Sequence, residues 1–136
     1  MSEKLQKRST YIGQIDRAPS GTYTHLRFVI SDFIYDEIMG EECALVVNMT
    51  SLHGTSKDDK TCELKVGDHP DITGPSYIEY SMAERVPKSY ILENVEKKHF
   101  VLRGLISPDL LKKIQDGVRV RKDDMPRFVE DYEDAF

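Results

Sequence analysis

No stretch of this chain approaches the ~20 consecutive apolar residues that a membrane-spanning helix requires, which argues against a bilayer segment. Cysteine is scarce: Cys43 and Cys62 are the only two. That excludes a disulfide scaffold of the secreted kind, and both thiols are expected to be reduced and in the core. The start, Met1-Ser2-Glu3-Lys4-Leu5-Gln6-Lys7-Arg8, has no apolar segment after its basic residues, unlike a signal peptide, so a cytoplasmic protein is expected. A Walker-type glycine loop, a dinucleotide fingerprint and a nucleophile elbow are all missing. So is any zinc pattern, because Cys43, His53, Cys62 and His69 lack the paired short spacing of such sites. No metal and no cofactor is expected. A basic excess is lacking as well: the formal net charge is −5, whereas polyanion binders usually carry the opposite sign. The imbalance is uneven, since residues 121–136 hold three basic and six acidic side chains. Nucleic-acid binding is therefore weakened without being excluded.

What is present fits one domain, given 136 residues. Residues 1–20 are polar and mixed, and read as a flexible arm and turn with room for a short strand at 11–15; the domain proper is then 21–136. Within Thr24–Ser31, Leu26, Phe28 and Ile30 alternate with His25, Arg27 and Val29, the period of a half-buried strand. Residues 32–42 read as a hairpin-type connection. Cys43-Ala44-Leu45-Val46-Val47-Asn48-Met49 is apolar almost throughout, as in a strand buried on both faces. Further strands are predicted at 61–66, from 76 as a strand or strand pair ending at Pro87, and at 99–106. Ser107 as N-cap, Pro108 at the first helical position and Asp109 beside the positive dipole end open a helix over 108–116, with Gly117 as its stop. A second helix is predicted over 124–135, with Phe128, Val129, Tyr132 and Phe136 at helical spacing. Short strands followed by C-terminal helices predict a mainly β, α+β domain, a small barrel or half-barrel capped by helices.

Candidate chemistry sits at strand ends. Gly67-Asp68-His69-Pro70 places a carboxylate and an imidazole side by side after the third predicted strand, and Pro70 pushes His69 toward extended backbone. Imidazole suits proton transfer near neutrality; the plainer reading is an Asx-type turn in which Asp68 bonds its own backbone. Thr50-Ser51 ends the apolar strand, where a hydroxyl can donate to a phosphate or an oxyanion, although such residues also end strands for local reasons. His25 and Arg27 fall on one face about 6–7 Å apart, a spacing that brackets a phosphate, unless Arg27 merely pairs with a neighbouring carboxylate. Tyr77 and Tyr80 offer rings either for base stacking or for packing.

Taken in order, His25-Leu26-Arg27-Phe28-Val29-Ile30, Val46-Val47-Asn48-Met49-Thr50-Ser51, Gly67-Asp68-His69-Pro70 and Ser76-Tyr77-Ile78 resemble the PemK/MazF-like toxins of bacterial type II toxin–antitoxin systems, over residues 22–117. The resemblance implies an SH3-like β-barrel with C-terminal helices, usually a homodimer. It also implies a metal-independent endoribonuclease that cuts single-stranded RNA and is neutralised by an antitoxin protein. In that family an arginine opening the first long strand and a Thr or Ser ending the next carry the chemistry. Those positions fall here on His25, with Arg27 two residues on, and on Thr50, with Ser51 beside it. Imidazole lacks arginine's permanent charge and fork, so either acid–base work passes to His25 and His69 or RNA is not cleaved. The expected catalytic set is His25, Thr50 and His69, with Arg27, Ser51, Asp68, Ser76 and Tyr77 contacting substrate. The alternative is a non-catalytic barrel that docks on a protein partner through the segment carrying Phe128 and Tyr132.

Overall fold

The apolar run at 43–47 lies at the centre of a sheet in the computed structural model, which describes residues 4–13, 25–52, 54–55 and 58–136. In chain order the strands are β1 (Ser9–Gly13), β2 (Arg27–Val29), β3 (Ile34–Asp36), β4 (Glu41–Ser51), β5 (Glu63–Leu64) and β6 (Ser76–Pro87). Helix α1 (Lys88–Glu96) leads to β7 (Phe100–Leu105), followed by α2 (Pro108–Arg121) and two 3₁₀ segments, Lys122–Asp124 and Arg127–Ala135. Every pairing is antiparallel, in the order β5-β6-β4-β2-β1-β7, with β3 also pairing with β4.

Strand β4 is apolar from Cys43 to Val47 because both faces of that stretch are covered. Cys43, Leu45 and Val47 join Leu26, Phe28, Ile30, Ile78 and Tyr80 in the core under α2 and the last 3₁₀ segment. Ala44 and Val46 point the other way, onto Tyr11, Val29, Val86 and Ile91 of α1. Each such buried aliphatic or aromatic side chain contributes roughly 1.5–3 kcal/mol. Helix α2 starts as its sequence dictates: the Ser107 hydroxyl oxygen accepts the Leu110 amide at 3.1 Å, and Leu110, Leu111, Ile114 and Val118 form its apolar face. Two polar side chains fix its seat. The Tyr80 hydroxyl donates to the Ile114 carbonyl at 2.8 Å, and Gln115 Nε2 donates to the Ile30 carbonyl at 2.9 Å.

The closed SH3-like barrel is not formed. The sheet curls but stays open, a half-barrel with β5 and β7 as its ends. β5 is too short for a closing ladder, and at the edge strand β7 the Arg103 carbonyl accepts a side-chain donor, from His69. The arm expected at 1–20 also divides: β1 is an interior strand whose Tyr11 is 1% exposed, while 14–20 lie outside the described residues. The third predicted strand, 61–66, shrinks to β5, and the fourth runs from Ser76 to its expected end at Pro87. Helix α1 was not anticipated, because only Ile91 among its residues is buried and no side chain caps it.

Two departures at the C-terminus have clear causes. α2 passes through Gly117 instead of ending there, since that glycine is where Tyr80 lies against the helix. The segment predicted as a helix over 124–135 is 3₁₀ from Arg127, and its buried residues, Val129, Tyr132 and Ala135, follow the three-residue period of that helix. Among the described residues, no helix is long and apolar enough to cross a membrane.

Candidate functional site

A cleft of about 660 Å³ opens where β4 ends, between the approach to β2, the loop after β5 and the edge strand β7. Its polar lining is His25, Thr50, Ser51, Asp71, Thr73 and Arg103, set in a frame of Ile12, Leu26, Met49, Pro70 and Val101. Local geometry explains why His25, Thr50 and Ser51 arrive together. Leu26 is buried, and its carbonyl accepts the Met49 amide at 3.0 Å, which holds the chain entering β2 against the end of β4. On the other side of β4, Thr50 and Ser51 are in register with Tyr77 and Ser76 of β6.

His25 is held in one orientation. Its Nδ1 lies 2.8 Å from the Met49 carbonyl, which can only accept, so Nδ1 carries the hydrogen. In the neutral ring the lone pair is then on Nε2. The ring is exposed, so water and ligands can reach that nitrogen.

His69 is placed differently from expectation. Its side chain is 2% exposed and is not part of the cleft lining. Nδ1 accepts the Asp71 amide at 3.0 Å, and Nε2 donates to the Arg103 carbonyl at 2.8 Å. Thr10 Oγ1 sits 3.0 Å from the same Nε2 and donates its own hydrogen to the Gly104 carbonyl at 2.8 Å. Both ring nitrogens are thus occupied by the backbone, which leaves no lone pair for a substrate. The preceding residues form the plainer turn: the Asp68 carboxylate accepts the Lys65 amide at 2.9 Å, and Gly67 takes φ +106°, a conformation suited to glycine.

The cleft's cation is one the sequence reading missed. Arg103 grips Asp71 with a two-pronged fork, Nε to Oδ2 and a terminal nitrogen to Oδ1, each at 2.7 Å. That guanidinium holds the Asp71 carboxyl below the usual carboxylate range, against the opposing effect of burial. A signal was present, since Arg103 is the one charge inside the strand Phe100–Leu105.

The other expected contacts are not at the cleft. Arg27 points to the α1 side of the sheet and pairs with Glu84 at 3.7 Å; His25 precedes the strand, so the alternation does not carry it to that face. Tyr77 is buried, and burial pushes its hydroxyl pKa up. Ser76 is buried too, its hydroxyl donating to the Gly74 carbonyl at 3.0 Å. Tyr80 is packed under α2 and offers no stacking surface. The expected docking segment is folded inward: Tyr132 is fully buried with its hydroxyl on Asp36 Oδ2 at 2.7 Å, and the Arg85 guanidinium covers the Phe128 ring at 4.9 Å.

Among the described residues, no group of three or more His, Cys, Asp or Glu side chains is gathered as a metal ion would need. No family model matches the chain, and no match is found among curated proteins. The resemblance to PemK/MazF-like toxins therefore rests on the quoted motifs alone.

Proposed function

We propose that the cleft cleaves single-stranded RNA by 2′-hydroxyl transesterification, with His25 as general base. Nε2 takes the proton of a ribose 2′-hydroxyl, and the 2′-oxygen forms a bond to the adjacent phosphorus. The bond from phosphorus to the 5′-oxygen breaks, that oxygen takes a proton from water at the open mouth of the cleft, and the hydroxide left behind takes back the proton held on Nε2. The products are a 2′,3′-cyclic phosphate end and a 5′-hydroxyl end. The Thr50 and Ser51 hydroxyls and the Arg103 guanidinium stabilise the charge that builds on the phosphoryl oxygens. The observation that supports this reading is the tautomer of His25, set by the Met49 carbonyl within a cleft shared with Thr50, Ser51 and Arg103. The expected pair of imidazoles reduces to one, because His69 is spoken for. Control by an antitoxin belongs to the same proposal and rests on the sequence resemblance.

The test is cleavage of a fluorescent single-stranded RNA in EDTA, with the ends of the products identified. His25→Ala is expected to slow cleavage by about 10²–10⁴-fold, the usual share of a general base. Intact RNA with the wild-type protein, cleavage abolished by EDTA, or an undiminished rate in His25→Ala would each overturn the reading.

A further inference from the structure

We infer that His69 is a positioning residue, which sets the Arg103 guanidinium against the substrate phosphate; this rests on the cleft reading above. The imidazole ties together the two residues of the fork. Its Nδ1 takes the backbone amide of Asp71, and its Nε2–H takes the backbone carbonyl of Arg103. With both backbones pinned to one rigid ring, carboxylate and guanidinium meet in a planar, two-pronged pair at 2.7 Å. A fork of that kind fixes the plane of the guanidinium, which a single contact would leave free to rotate. Arg103 lines the cleft, and its side chain is 41% exposed, so the oriented group is within reach of a ligand. Among the described residues, no ladder joins β7 to β5, so side chains must hold the loop after β5 to this edge. Thr10 steadies the arrangement by standing beside Nε2 while its own hydrogen goes to the next carbonyl of β7.

Three substitutions separate positioning from chemistry, because none of them carries an imidazole. His69→Asn keeps an acceptor where Nδ1 was, His69→Gln keeps a donor where Nε2 was, and His69→Ala keeps neither. Two readouts are independent of catalysis: the Arg103 Nε–H resonance in NMR, which the fork protects from exchange, and binding of an RNA with a 2′-deoxynucleotide at the cleavage site. His69→Ala is expected to abolish the protected resonance and to weaken that binding about tenfold, the size of one hydrogen bond to a charged group. His69→Gln restores most of both, and adding His69→Ala to Arg103→Ala weakens binding no further, since the two act as a unit. Thermal unfolding identifies a variant that has failed to fold, and Asn and Gln then carry the comparison. An unmoved Arg103 resonance in the folded Ala variant overturns the inference. So does a loss of kcat equal in all three variants with analogue binding intact, which would make His69 an acid or base. If the wild-type protein does not bind the analogue, the cleft reading itself fails, and the Arg103 resonance alone decides whether His69 holds the fork.

Discussion

Replacing Gly117 by alanine is expected to destabilise this protein, although the same change inside an ordinary helix adds about 1 kcal/mol. Gly117 lies within α2, with no need for a positive φ, so backbone preference alone favours alanine. Packing decides the sign. A Cβ at this position would stand 1.9 Å from Tyr80 Oη, 2.5 Å from its Cζ and 3.0 Å from its Cε2. The ring is rigid and 1% exposed, so it has no solvent to swing into. Overpacking of this kind costs about 1–3 kcal/mol. Moving the ring also breaks the 2.8 Å bond from the Tyr80 hydroxyl to the Ile114 carbonyl. A buried hydroxyl left unsatisfied costs a further ~1–3 kcal/mol. Against the helical gain, the net loss is about 1–5 kcal/mol. Urea denaturation followed by circular dichroism reads it directly as a lower midpoint at unchanged slope. A midpoint at or above wild type would refute the argument. The cause is checked by Tyr80→Phe, which removes the nearest atom: the double variant should lose less than the sum of the singles, and strict additivity would place the effect elsewhere.

Acid sensitivity is expected at Asp36. Burial raises its pKa, but the Met39 amide, the Tyr132 hydroxyl, the Arg85 guanidinium and the Ile38 amide together outweigh it and hold the carboxyl below its usual value. As pH falls, the unfolded chain takes the proton first, so this stabilisation is complete above about pH 4 and is lost as pH drops through the lower folded value. Tyr132→Phe should lower stability at neutral pH by about 1.5–3 kcal/mol and flatten the decline below pH 4; an unchanged acid slope would sink the assignment. The thiols give a third check. Burial is the main cause that pushes both Cys43 and Cys62 above the usual thiol pKa. Both are expected to be inert to a disulfide reagent in the native state and to react fully in denaturant. Rapid stoichiometric reaction of the folded protein would contradict that.

Much of the fold is local and was therefore legible. The two-sided burial of β4 is written in its unbroken apolar run, and the start of α2 in Ser107-Pro108-Asp109. Where the reading departed from the structure, the deciding contact was distant in sequence. Gly117 has the composition of a helix stop, but its partner Tyr80 lies 37 positions earlier, and only the folded sheet brings them together. The apolar spacing at 128–136 fits an α-helix as well as a 3₁₀ helix, and Asp36, which holds the Tyr132 hydroxyl, lies 96 residues away. The strand pattern admits a barrel or a half-barrel without deciding between them, because closure depends on whether β5 and β7 pair, and β5 is only two residues long.

The site divides in the same way. That His25, Thr50 and Ser51 meet follows from strand ends, which sequence marks well. Gly67-Asp68-His69-Pro70 suggests a catalytic imidazole, with a plain turn as the alternative; the direction of the ring is not readable from the sequence, because its acceptor on β7 lies 34 residues further on. An open sheet edge that must be tied by side chains needs a group that accepts on one side and donates on the other, at a fixed distance. Neutral imidazole is such a group, and it is also the group most readily taken for a catalyst. The two roles differ in what the nitrogens face. At His25 only Nδ1 faces a backbone group among the described residues, leaving Nε2 toward the cleft; at His69 both nitrogens face backbone, and the ring serves the residue that presents the charge.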